Sequence, residues 1–269
     1  MDKSEAIDRE SLASDTAAPR RGMTRWQAAG THLLISASIG AAVLALMLLV
    51  WYPPPLFQAM GGAGLALILV GVDVVLGPTL TLVVFRSGKP GLKLDLTLIG
   101  VCQLAALLYG VHVVAVARPA FIVFVKDQFQ VATVAALEPE QLAKARYPQF
   151  RSPSWGSPRW VFLEIPKDPE RLQQLTLLGL QGIDLQLFPE YYAPYGQGRA
   201  EILRQAWPLE RMRKDEPAAA QVVDAWLKSS GADEKKLRYL RLMGRIGWVA
   251  VLVDATTAEP VKMLLTETY

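Results

Sequence analysis

Apolar and polar positions follow two regimes along this chain. From Leu33 to Phe85 the only acidic, basic or histidine side chain is Asp73, and from Leu96 to Ala117 it is His112. A bilayer core asks for about 20 apolar residues per spanning helix. The pattern therefore predicts three membrane helices, at about residues 31–52, 57–85 and 95–117. Pro53, Pro54 and Pro55 force an extended connection between the first two. Ser36 and Gly40 in the first run, and Gly61, Gly62 and Gly64 at the start of the second, allow close helix approach. Gly77-Pro78 should kink or locally break the second helix. The first run is too long for a signal-peptide core and ends in Trp51, Tyr52 and prolines rather than a cleavage site. It reads as a retained helix closing in an aromatic belt.

After Arg118 the pattern changes to short alternating runs. Phe121–Val125 and Phe129–Val134 predict a hairpin around Lys126-Asp127-Gln128. Pro139–Ala145 predicts a short helix, and the Pro- and Ser-rich stretch Tyr147–Arg159 a loop. Trp160–Ile165 and Ile183–Phe188 read as strands. Between them Asp168-Pro169 opens a helix to about Leu178, ended by Gly179 or Gly182. Arg199–Trp207 and Pro217–Ser230 read as helices, the latter stopped by Gly231. Leu237–Met243, Trp248–Asp254 and Val261–Thr266 are strands, the last two joined by a hairpin over Ala255–Pro260. There is no internal repeat.

The fold class is membrane-anchored: an N-terminal three-helix transmembrane bundle followed by an α+β extracytoplasmic domain. Residues 1–25 read as a disordered cytoplasmic tail, 26–117 as the transmembrane region and 118–269 as a periplasmic domain. Met23 offers an alternative start directly before the first apolar run. Positive charge sets the orientation. Arg20, Arg21, Arg25, Arg86, Lys89 and Lys93 fall on one side of a three-span arrangement, and the loop Pro53–Met60 carries no such charge. That puts the N-terminus in the cytoplasm and the C-terminal domain beyond the membrane.

The net charge of +3 argues against a dedicated nucleic-acid binder. The single cysteine, Cys102, lies in an apolar run and excludes a disulfide within the chain. Both histidines, His32 and His112, lie at or within spans, so the exported domain has none for a triad, a general base or a metal. Gly196-Gln197-Gly198 lacks the preceding strand and third glycine of a nucleotide loop. No catalytic residue, metal or cofactor is expected, although paired carboxylates alone would suffice for a hydrolase. The basic residues Arg211, Arg213, Lys214, Lys228, Lys235, Lys236, Arg238 and Arg241 read as a solvated face. Tyr191, Tyr192 and Tyr195 read as loop packing, with a protein interface as the alternative. Asp73 is the most informative polar residue, since a carboxylate near the bilayer centre costs about 2.5–3.5 kcal/mol on insertion scales. It reads as a hydrogen-bonder within the bundle, as a contact to a partner helix or its amine, or as a proton or ion relay.

The stretch Gly71-Val-Asp73-Val-Val-Leu-Gly77-Pro78-Thr-Leu-Thr81 and the basic turn Arg86-Ser-Gly-Lys89-Pro-Gly91-Leu-Lys93-Leu-Asp95, with Gln103, Tyr109 and Arg118-Pro119, resemble the type IV pilin accessory proteins, the TfpX/TfpZ group. The start Met23-Thr-Arg-Trp-Gln-Ala-Ala-Gly and the closing hairpin around Val253-Asp254 also fit. The likeness runs from about Met23 to near the C-terminus and is strongest from Gly71 to Val134. It implies a bacterial inner-membrane, chaperone-like factor for assembly or surface display of one type IV major pilin, with inner-membrane pilus assembly proteins as further partners. Asp73, Gly77, Pro78, Gln103 and Tyr109 become the candidate partner-binding or bundle-core polar positions. A membrane-anchored envelope enzyme acting on pilin or glycans, and a small transport component, are the alternatives.

Overall fold

The computed structural model describes residues 23–268. The expected tail, with Arg20 and Arg21, lies almost wholly outside them. Among the described residues three helices are long and apolar enough to cross a membrane: α1 (Arg25–Trp51), α3 (Gly62–Val84) and α4 (Leu92–Ala117). They hold 27, 23 and 26 residues, each more than the about 20 that a hydrocarbon core requires. Large apolar side chains such as Leu34, Leu49, Leu67, Val83 and Leu94 point outward. That is the reverse of a soluble bundle, whose apolar stripe faces inward.

Helix α1 starts earlier than residue 31 because Thr24 closes a capping box. Thr24 Oγ1 accepts from the Gln27 N–H at 3.2 Å, and the Thr24 N–H donates to Gln27 Oε1 at 2.9 Å. Its buried side holds small residues, Ala28, Ala29, Ser36 and Gly40. At Gly40 a Cβ would stand 3.0 Å from Val70 of α3, so the glycine brings the two helices close. Helix α3 is not broken at Pro78. The turn before it, Val72–Leu76, widens to π geometry. This accommodates a ring that has no N–H to donate and would crowd the carbonyl four residues back.

After α4 the chain builds a seven-stranded mixed sheet in the order β4-β3-β1-β2-β5-β6-β7. The strands are β1 (Pro119–Val125), β2 (Gln128–Thr133), β3 (Arg159–Leu163), β4 (Tyr192–Pro194), β5 (Leu237–Met243), β6 (Gly247–Asp254) and β7 (Pro260–Thr268). β1 pairs parallel to β3 and β2 parallel to β5, while the remaining pairs are antiparallel. β1 and β6 are buried on both faces and alternate with a period of two. Ile122, Phe124, Val249, Val251 and Val253 face one core. Phe121 and Val123 face a second, and Ala250 and Leu252 a third. The second core is covered by α5 (Pro139–Ala143) and Phe150, and the third by α8 (Leu209–Asp215) and α9 (Pro217–Ser230); α6 (Pro169–Leu180) lies between β3 and β4 in the chain.

Three expectations are corrected. Ile183–Phe188 is not a strand; it contains a 3-10 turn, Leu185–Leu187, whose two leucines pack on the core and imitate strand alternation. The strand beside β3 is Tyr192–Pro194, short because proline cannot extend a ladder. The helix expected to reach Trp207 ends at Gln205 as α7 (Arg199–Gln205), because the Trp207 backbone exchanges hydrogen bonds with Tyr239 at 2.9 and 2.8 Å.

The first core also contains residues from far upstream. The short helix α2 (Leu56–Ala59), in the connection between α1 and α3, puts Leu56 and Ala59 among Ile122, Phe124, Leu242 and Val249. Both are completely buried. The Ala59 carbonyl accepts from the Ile246 N–H at 2.9 Å, and Gly244 lies so close that a Cβ there would sit 2.6 Å from that oxygen. Residues 56–59, which the sequence division gives to the membrane region, therefore belong to the core of the sheet domain. Trp51 and Tyr52, expected in an aromatic belt, are buried at the same junction. The Tyr52 hydroxyl donates to the Val114 carbonyl at 3.1 Å. Trp51 meets Trp155 edge-on at 5.9 Å. Arg118 lies over both rings, 5.9 Å from Trp51 and 5.2 Å from Trp155, and donates to the carbonyls of Ala115 and Ser154. Trp26 is the large aromatic exposed on α1, at its other end.

The closing hairpin is tied by Asp254, whose Oδ1 accepts from the Thr256 and Thr257 N–H groups, each at 2.8 Å. These bonds hold its carboxyl below the usual carboxylate range. A depressed folded value adds stability above the unfolded pKa of about 3.9, and that stability is lost as pH falls through the folded value. Acid unfolding of the detergent-purified chain should therefore be shallower below pH ~4 in Asp254→Asn than in the wild type. The docked segment supplies a second expectation. Leu56→Ala should cost about 2–5 kcal/mol, read as a lower denaturation midpoint for the sheet domain, although the residue lies between two apolar helices. An unchanged midpoint would show that α2 does not support the sheet.

Candidate functional site

Four of the five candidate polar positions meet where α3 and α4 cross. The π turn turns Asp73 into the bundle, leaving it only 7% exposed. Gln103 reaches over from α4, and its Nε2 donates to the Asp73 carbonyl at 3.4 Å. Gly77 makes that reach physically attainable: a Cβ there would lie 1.9 Å from Gln103 Nε2. Pro78 follows directly, and the π turn that relieves it is the one that carries Asp73. Asp73 Oδ1 and Gln103 Oε1 are both buried without a hydrogen-bond partner. A buried polar atom left without a partner carries a desolvation cost.

Tyr109 is placed differently. It is 71% exposed and does not touch the Gln103 cluster as a polar partner. It instead lines a groove of about 310 Å³ between α3 and α4, whose other walls include Ile68, Val72, Gly110 and Asp73 itself. Gly110 draws the helices together there, since its Cβ would meet Leu69 Cδ1 at 2.2 Å.

Sequence reasoning missed a second polar contact. His32 Nδ1 lies 2.6 Å from the hydroxyl of Thr81, which is 3% exposed, and this joins α1 to α3. The signal was present as a histidine inside an apolar run and a threonine four residues after Gly77. Of the topology-determining basic residues, Arg25, Arg86, Lys89 and Lys93 are exposed. The last three belong to or follow the turn joining α3 to α4, where Lys89 also pairs with Asp95 at 2.6 Å.

The sheet domain's charged residues pair with one another. Arg213 binds Asp224 at 2.6 Å and Glu234 at 2.5 Å, and Arg241 binds Glu216 at 2.5 Å. Arg171 donates to the Tyr191 hydroxyl at 2.6 Å and to Glu190 at 2.5 Å. Tyr195 donates to the Ala258 carbonyl at 2.6 Å, and Tyr192 is buried beside Phe121. Among the described residues no three His, Cys, Asp or Glu side chains come together as a metal site.

The Gly77–Gln103 contact has a testable consequence. Gly77→Ala should expel the Gln103 amide and lower the stability of the bundle in detergent by about 1–3 kcal/mol, the cost of overpacking. In a Gln103→Ala background the same change should cost much less, so a double-mutant cycle should return a coupling of at least ~0.5 kcal/mol. Additive losses would mean the two residues do not share the crossing.

Comparison with known proteins places this arrangement in context. The family model described as fimbrial assembly protein FimB matches residues 20–61. A fimbrial assembly protein of serogroups C1 and C2 from Dichelobacter nodosus is 34% identical over 119 residues, 43% of this chain and 90% of that protein. The serogroup I and serogroup E1 fimbrial assembly proteins of the same organism are 28% and 27% identical over 238 residues, each covering 85% of this chain and 92% of the relative. No solved structure matches the chain.

Proposed function

This chain belongs to the fimbrial assembly protein family, and from that premise we propose that it is an inner-membrane holder for one type IV major pilin, presenting the subunit to the assembly machinery. In this reading the N-terminus lies in the cytoplasm, α1, α3 and α4 span the membrane, and the sheet domain lies in the periplasm. The protein is an assembly factor without catalytic residues or a cofactor. Its partners are the pilin, the surrounding lipid and, secondarily, other inner-membrane pilus proteins.

The observation that carries the reading is the docking of α2 and Arg118 between bundle and sheet domain. A pilin awaiting assembly has an apolar N-terminal helix in the membrane and a head outside it. A holder whose membrane and exported parts are one body can offer a site to each at fixed spacing. The second contact is then effectively intramolecular, which raises avidity by orders of magnitude without new contacts. The docking also supports the orientation. α2 sits in the sheet domain, so the α1–α3 connection and that domain share a side, and the basic turn after α3 faces the other.

Alkaline phosphatase fused after Phe57 and after Lys126 should be active, and after Gly88 inactive. Activity after Gly88 with inactivity after Lys126 would invert the orientation. For the function itself, deletion of the gene should lower surface fimbriae and twitching while total pilin persists on immunoblots. Wild-type fimbriae in the deletion strain, with its own pilin expressed, would sink the proposal.

A further inference from the structure

We infer that the groove between α3 and α4 seats one apolar membrane helix of the fimbrial subunit, which presents a positively charged group to Asp73. The inference rests on the proposed function for the identity of the partner protein. The site itself rests on the geometry of the groove.

Asp73 is more than nine-tenths buried, its Oδ1 has no partner, and it is the one carboxylate in an otherwise apolar lining. Its neighbours do not satisfy it. Gln103 donates to the Asp73 backbone, and His32 is engaged with Thr81. The walls are open for an occupant: Ile68 is 69% exposed, Val72 39% and Tyr109 71%. From Leu65 to Asp73 the groove follows two turns of α3, roughly 12 Å, a length suited to one face of a crossing helix. Gly110 keeps its floor shallow, because Leu69 occupies the space that any side chain there would need.

Charge decides among occupants. A lipid chain fills apolar volume but donates nothing to a carboxylate. A second copy of this chain is poorly matched, since its spans carry no Lys or Arg between Leu33 and Phe85 or between Leu96 and Ala117. Its His112 lies nine residues beyond Gln103, roughly 13 Å from the depth of Asp73. A partner helix carrying an amine or guanidinium matches both the apolar walls and the acidic side chain of Asp73 that lines the groove. An ion pair formed there is screened far less than one in water.

The test uses the full-length protein in cells expressing the fimbrial subunit. A photo-reactive benzoylphenylalanine replaces Tyr109 in the groove, or Leu104 on another face of α4 as the control. Position 109 should cross-link to the membrane helix of the subunit, and position 104 should not. Asp73→Asn keeps the shape and removes the charge, and it should lower the yield about tenfold. Asp73→Glu should restore part of it. An unchanged denaturation midpoint for Asp73→Asn shows that the bundle persists. Cross-links from position 109 only to lipid or to a second copy would overturn the inference, as would a yield indifferent to Asp73→Asn. Loss of fimbriae on deletion, together with either result, removes the groove but leaves the holder function. Normal fimbriae on deletion remove the function itself.

Discussion

The seating of Leu56 and Ala59 in the core of the sheet domain is the constraint on which the rest depends. A connection of ten residues between two membrane-length helices would ordinarily be a loop over lipid headgroups. Here it closes an apolar core built from β1, β2, β5 and β6, and it does so with completely buried side chains. The sheet can therefore not drift away from the helices on a linker. Arg118 completes the join from the other side. It is the residue where α4 becomes β1, and its guanidinium is held by two indoles and two carbonyls. A buried arginine is tolerable because those carbonyls and ring faces replace much of its hydration. Lysine, with a compact ammonium and no planar face, could not make the same set.

For a bundle of membrane-length helices set in lipid, as proposed, the logic differs, because apolar side chains would gain nothing there from leaving water. Close contact and polar pairs must hold the helices together. Gly40, Gly77 and Gly110 each sit where a Cβ would strike the neighbouring helix. His32 with Thr81 and Gln103 with the Asp73 carbonyl tie α3 to its two neighbours. These contacts satisfy the backbone and one ring. They leave Asp73 Oδ1 without a hydrogen-bond partner among the described residues, with the unpartnered Gln103 Oε1 in the same cluster.

Much of this was legible in the sequence, for reasons of scale. The three long helices follow from charge-free runs, and the hairpins from short apolar alternations bounded by turns. Asp168-Pro169 and Gly231 mark helix ends through backbone chemistry that needs no tertiary partner. What failed depends on distant contacts. Ile183–Phe188 alternates like a strand, but its neighbours leave no ladder for it. Trp207 leaves its helix because Tyr239 offers it a bridge. The Thr24–Gln27 capping box has a local signature, Thr-x-x-Gln, and it sets the start of α1 several residues before the apolar run. The candidate site shows the same division. Asp73, Gly77 and Gln103 stood out one by one, whereas the docking of α2 into a strand cluster some 65 residues or more further on had no local signature.

The proposed holder must also let go, and the arrangement bears on how. Two contacts at fixed spacing bind tightly together but weakly alone, so a pull on the subunit's head that breaks one contact exposes the other to fast dissociation. The membrane contact inferred here consists of apolar walls plus one charge pair. The walls discriminate little, because lipid tails are equally apolar. Specificity in that half then resides in Asp73, and any wider recognition of one subunit over another must come from the sheet domain. A rigid join makes such a division workable, because it holds the proposed head contact and the proposed membrane contact in fixed register.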